Sequence, residues 1–164
     1  MQSRTHIRFT TVTMKKLPHV LCALCACTAF LASTTSNAQQ NQSFQVTKLN
    51  VGINLIKAEI AVTPAQHERG LMFRDKLGSN EGMVFVFDPA QPLCMWMKNT
   101  LIPLSVAFMD EHGTIINIEE MKAQTLDTHC ARKDATYALE MNPGWFKQKN
   151  IKPGAAIEGL PQSK

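Results

Sequence analysis

The chain has 164 residues, 45% of them hydrophobic and 18% charged, which excludes disorder as the dominant state and suits one domain. Its 17 Lys and Arg against 13 Asp and Glu give a formal charge of +4, a balance that by itself would fit a nucleic-acid or membrane-surface binder. Eight Gly and eight Pro, spread through the chain, exclude a collagen-like or low-complexity protein.

Taken in chain order, residues 1–38 read as a secretory signal. Arg4, Arg8, Lys15 and Lys16 form a basic leader with no acidic residue. A short apolar stretch, Leu17 to Ala32, leads to the small-residue site Ser36-Asn37-Ala38, so cleavage is expected before Gln39. The apolar stretch is too short and interrupted for a bilayer span. Met14 can serve as the start in place of Met1, and Leu24-Cys25-Ala26-Cys27 only loosely resembles a lipid-anchoring site. Removing the four leader cations leaves 13 basic and 13 acidic residues in 39–164, so the domain itself is neutral. Nucleic-acid binding thereby loses its support, and the expected location is periplasmic or extracellular.

Gln39 to Thr47 reads as a polar linker, and 48–160 as a single β-rich domain. Val51 to Val62 alternates as a strand, with Ile56, Ala58, Ile60 and Val62 on one face. Thr63-Pro64-Ala65-Gln66 predicts a capped helix running to about Arg74, with Leu71 and Met72 turned inward. Strands follow at Gly82–Phe87 (ended by Asp88-Pro89), Leu93–Asn99, Leu104–Met109, Thr114–Met121 and Ala135–Met141. Asp110-Glu111-His112-Gly113 is a hairpin turn. Asn142-Pro143-Gly144 caps a short helix to about Lys149, and a last strand follows Lys152-Pro153-Gly154 to Glu158. The fold class is therefore mostly β: a small β-sandwich or barrel with two short helices.

Cys22, Cys25 and Cys27 leave with the leader. The remaining pair, Cys94 and Cys130, is expected to form a disulfide in an exported protein, stabilising by about 4 kcal/mol in the chain-entropy model.

Several blocks carry a family resemblance: Arg69-Gly70-Leu71-Met72-Phe73-Arg74, Gly82-Met83-Val84-Phe85-Val86-Phe87, and Met95-Trp96-Met97-Lys98-Asn99-Thr100-Leu101-Ile102-Pro103-Leu104. Val106–Asp110, Gly113–Ile115, Tyr137–Asn142 and Ile151–Gly154 extend it. Together they resemble the uncharacterised family named domain of unknown function 192, across roughly residues 48–160. The resemblance implies a compact β-rich domain, often exported, and no assigned reaction, cofactor or ligand. It also implies an acidic residue after Ile102-Pro103-Leu104, where this chain has Ser105.

Arg69, Lys98, Asn99, Thr100 and Glu140 are polar residues inside otherwise apolar blocks. Such residues either bind a ligand, with Arg69 and Lys98 meeting an anion, or form an internal network in which one of the two cations pairs with Glu140. A second constellation is Met95 and Met97, whose thioethers could bind Cu(I) with His129, or simply fill the core. A third is Cys130 beside His129 and Arg132, a cysteine-enzyme arrangement that a disulfide would disarm. No nucleophile elbow, phosphate loop, zinc-protease motif or CxxC pair occurs in 39–164. The reading is an exported binding or accessory domain of the cell envelope, without cofactor, whose partner is a small ligand or an envelope protein; no membrane span is expected after signal removal.

Overall fold

The computed structural model describes residues 43–162. The expected signal over 1–38, with its three cysteines, lies outside the described residues. Strand β1 (Gln45–Val51) starts within the stretch read as linker and pairs antiparallel with β2 (Asn54–Ala61). The expected continuous strand from Val51 is thus a hairpin, because Gly52 takes a left-handed φ of 57° and lets Val51 face Asn54 directly.

Helix α1 (Pro64–Arg69) has the expected capping box: Gln66 N–H donates to the Thr63 hydroxyl, and the Gln66 side chain accepts from the Thr63 N–H. It stops five residues before the expected Arg74, since Gly70 adopts a φ of 42° and turns the chain. Leu71, just past that turn, is buried in the core as expected, whereas Met72 is half-buried.

Strand β3 (Glu81–Gln91) runs parallel to β2, with α1 in the connection between them. Beyond it, β4 (Cys94–Met95) is only two residues long. The expected strand to Asn99 fails because Met97–Thr100 is a tight turn: Thr100 N–H donates to Met97 O at 3.1 Å, with Asn99 left-handed at φ 57°. Strands β5 (Leu104–Met109) and β6 (Ile115–Met121) form the expected hairpin. Asp110 Oδ1 organises its turn by accepting from the N–H groups of His112 and Thr114, each at 2.9 Å. A further short strand, β7 (His129–Cys130), pairs with β4. Strand β8 (Ala135–Met141) precedes α2 (Trp145–Gln148). The Asn142 side chain does not cap α2: it donates to Gly78 O at 2.8 Å, and Gly144 is the N-cap.

Six strands make one mixed sheet in the order β1-β2-β3-β8-β5-β6, and β4-β7 is a separate two-stranded ribbon. β8, the last strand along the chain, therefore lies in the interior of the sheet, between β3 and β5. Side chains alternate between two apolar layers: Val84, Leu139 and Met141 with Trp145 and Phe146 on one face, and Met83, Phe85, Val106 and Phe108 with Leu71, Leu93 and Met97 on the other. Burial on both faces explains why these strands read as nearly unbroken hydrophobic runs.

The expected last strand is instead a strap. Ala155 O accepts from Ile115 N–H at one sheet edge, and Glu158 exchanges two backbone hydrogen bonds with Asn50 at the other. It ties the two edges, β6 and β1, across one face. The mostly β expectation with two short helices is the observed class. No helix among the described residues is long and apolar enough to cross a membrane.

Candidate functional site

Glu140 is the penultimate residue of β8, an interior strand of the sheet, with Met83 and Val106 as its direct cross-strand neighbours. The alternation of β8 turns it into the same layer as Ala138, away from Leu139 and Met141. It is 4% exposed, and burial pushes its carboxyl up to about 8. The carboxyl is thus largely protonated at neutral pH.

Above it lies a small cleft of about 20 Å³ free volume, room for roughly one water-sized group. Arg69, Phe85, Trp96, Thr100 and Glu140 are among the residues that line it. The end of α1 and the Gly70 turn supply one wall, β4 another, and the Met97–Thr100 turn a third. Three residues singled out in the sequence, Arg69, Thr100 and Glu140, are brought together here.

The cations of the site rest on aromatic rings. Arg69 Cζ lies 5.0 Å from the centre of the Phe73 ring, and Lys98 Nζ lies 5.3 Å from that of Trp96. Both rings are exposed, Phe73 at 57% and Trp96 at 44%. Among the described residues neither cation forms an ion pair. The internal network joining Arg69 or Lys98 to Glu140 is therefore absent from this arrangement. Asn99 stands apart from the cleft: its carbonyl accepts from Phe73 N–H at 2.8 Å and its amide is 3.9 Å from Met72 Sδ.

Three loops are laced together at this end of the sheet. Phe73 bonds Asn99, and Thr100 O accepts from Gln124 N–H at 3.1 Å. Phe73, Asn99 and Gln124 all have positive φ, at 65°, 57° and 59°. Left-handed backbone at a bulky aromatic residue is costly and is retained where the surroundings hold it in place. Composition could flag Asn99 for such a turn but not Phe73, whose conformation follows from bonds to a loop far along the chain. His67 was also unforeseen as a lining residue. Its ring sits 4.3 Å from that of Phe87, and burial lowers its pKa, outweighing hydrogen bonds to the backbone of Ala61 and Val86.

The sulfur residues separate. Cys94 and Cys130 face each other in the ribbon with Cα atoms 4.0 Å apart and their sulfurs bonded. With its sulfur in the disulfide, Cys130 has no thiolate to act as a nucleophile in this state. Met95 is opposite His129, whereas Met97 is buried among Leu71, Phe85 and Leu93 in the apolar layer. Among the described residues no three His, Cys, Asp or Glu side chains converge as a metal cluster.

These features define a small mixed-sheet β-domain with one cation- and aromatic-rimmed cleft over a buried acid. The chain belongs to the DUF192 family, described as an uncharacterized ACR, whose model matches residues 45–159. Two solved structures are similar. One, from Sinorhizobium meliloti 1021 and provisionally termed a transcription regulator, is 33% identical with a TM-score of 0.70, covering 72% of this chain and 96% of that one. The other, a protein of unknown function from Novosphingobium aromaticivorans DSM 12444, is 31% identical with a TM-score of 0.69, covering 73% and 89%. No curated protein matches the chain.

Proposed function

We propose that this chain is an exported, non-enzymatic binding protein of the cell envelope that holds an anionic ligand at the cleft between α1 and the Met97–Thr100 turn. One observation carries the reading: Arg69 lines the cleft and rests on the exposed Phe73 ring, and Lys98 lies over Trp96, an exposed lining ring, with neither cation in an ion pair among the described residues. A guanidinium and an ammonium so placed are held in position by the rings while their donors stay available to an anion. The regulator reading attached to the S. meliloti protein is not extended to this chain, because residues 39–164 carry no net charge to favour nucleic acid. Export rests on the basic, apolar and small-residue succession of residues 1–38.

The test is equilibrium binding of carboxylate and phosphate probes, followed by Trp96 fluorescence and by calorimetry. Arg69→Ala and Lys98→Ala should each weaken binding at least several-fold while leaving the melting temperature nearly unchanged. Loss of thermal stability without any loss of affinity would defeat the reading. Amino-terminal mass analysis of secreted material should find the chain beginning at Gln39.

A further inference from the structure

The cleft has two chemically different levels. At its rim stands Arg69, with Lys98 over the adjoining Trp96 ring; at its floor stand the Glu140 carboxyl and the Thr100 side chain, 4% and 5% exposed. Among the described residues neither floor side chain has a hydrogen-bond partner, and burial is the only cause resolved for the shift of Glu140. Buried polar groups of this kind require a partner, or they destabilise the fold.

The chemistry of that partner is constrained from both sides. Met83 and Val106 flank Glu140 across the sheet and Phe85 lines the cleft, so the floor is apolar apart from its two polar side chains. An ammonium there would lie in the same small cleft as the Arg69 cation, and a carboxylate would be desolvated next to an acid already kept neutral. A hydroxyl suits both, since it donates and accepts, as do a protonated carboxyl and a threonine. The free volume of about 20 Å³ admits one such group and nothing larger. The other ionisable groups lining the cleft are His67, Glu68 and Arg69, all from α1. At the rim, Trp96 offers an exposed ring for stacking, and Arg69 and Lys98 offer charge.

We infer that the ligand is an acidic saccharide: one hydroxyl enters the floor between Glu140 and Thr100, its ring stacks on Trp96, and its carboxylate or phosphate meets Arg69 and Lys98. This inference rests on the proposed anion-binding function and adds the floor as a specificity-determining subsite.

The experiment is titration calorimetry of the purified protein at pH 6.5 with trigalacturonic acid, glucose 1-phosphate, neutral maltotriose and hydroxyl-free glutarate. At least one of the two acidic sugars should bind about tenfold or more tightly than either maltotriose or glutarate. Glu140→Leu and Thr100→Val should each weaken that binding about tenfold, with thermal melting confirming that both variants fold. Glu140→Gln, which keeps a neutral donor and acceptor, should remain within about threefold. Raising the pH to 9 should weaken binding to the unaltered protein and leave the Glu140→Gln protein unaffected. If glutarate binds as tightly as the sugars, the saccharide class is wrong while the anion site stands. If affinity depends on Arg69 and Lys98 but ignores Glu140→Leu and Thr100→Val, the floor subsite is wrong. If no anion binds, both the inference and the function beneath it fail.

Discussion

Ser105 and Glu120 face each other across β5 and β6, and the Ser105 hydroxyl lies 2.8 and 2.7 Å from the two oxygens of the Glu120 carboxylate. Ser105 is fully buried, and its oxygen also accepts from the Gly144 N–H at 2.7 Å. Gly144 is the N-cap of α2, whose Trp145 and Phe146 are buried in one apolar layer. The pair therefore fastens α2 to the sheet. It also accounts for the serine at a position where the family resemblance implies an acid: the cross-strand neighbour already supplies the carboxylate.

Ser105→Ala should destabilise the fold by about 1–3 kcal/mol, because it strips a partner from both the Glu120 carboxylate and the Gly144 N–H. Ser105→Asp should destabilise it further at neutral pH by opposing two carboxylates. The exchange Ser105→Asp with Glu120→Ser should recover most of that loss. Urea denaturation of the four proteins measures it; an unrecovered double variant would show that the pair is not an exchangeable unit.

Glu140 gives stability a definite pH dependence. Its folded pKa of about 8 lies above the ordinary value of 4.5, so the folded state favours the protonated form. Its contribution is fully present below pH 4.5 and is lost progressively as pH rises to about 8, by a few kcal/mol in all. His67, whose pKa is lowered, acts in the opposite direction, losing stability as pH falls below 6.5. The melting temperature of the unaltered protein should decline between pH 5 and 8, and that of Glu140→Gln should lack this decline.

The cleft and the disulfide are linked. Cys94–Cys130 staples the two-residue ribbon that carries Met95 and leads into Trp96, both cleft residues. Replacing both cysteines by serine should lower stability by about 4 kcal/mol in the chain-entropy model for this 36-residue separation. It should also change Trp96 fluorescence, while Trp145, buried and bonded to Asn80 at 3.1 Å, keeps its emission. Alkylation without reductant should add no mass to either cysteine.

Gly82 marks a close approach of β3 to β8. A Cβ there would stand 2.5 Å from the Glu140 carbonyl oxygen, a backbone atom that cannot step aside. Gly82→Ala should cost about 1–3 kcal/mol and disturb the Glu140 strand, seen as reduced hydrogen-exchange protection of β8.

Much of the sheet was legible in the amino-acid order. Leu104–Met109 and Ala135–Met141 have the bounds that hydrophobicity alone predicts, and the Thr63–Gln66 capping box is local chemistry with a local signature. What failed depends on distant partners. Lys98-Asn99 reads as strand because nothing nearby reveals that Phe73 and Gln124 will bond to the Met97–Thr100 turn. The two-residue β7 is too short to carry a period, and the Glu158 bridge to Asn50 spans most of the domain. In the site, Arg69, Thr100 and Glu140 were recognisable as polar residues in apolar surroundings, whereas the rings beneath the cations were not, since their exposure is a tertiary property.

The strap from Ala155 to Glu158 has a consequence for the order in which the molecule can assemble. Chains emerge amino-terminus first, from a ribosome or through a membrane pore. Here β8, the strand that joins the two halves of the sheet, follows the other strands in the chain, and the residues that bind the opposite edges together follow β8. Until Glu158 has emerged, β1 and β6 remain unfastened. A partly emerged chain therefore lacks the contacts that join these two edges until Ala155–Glu158 has followed.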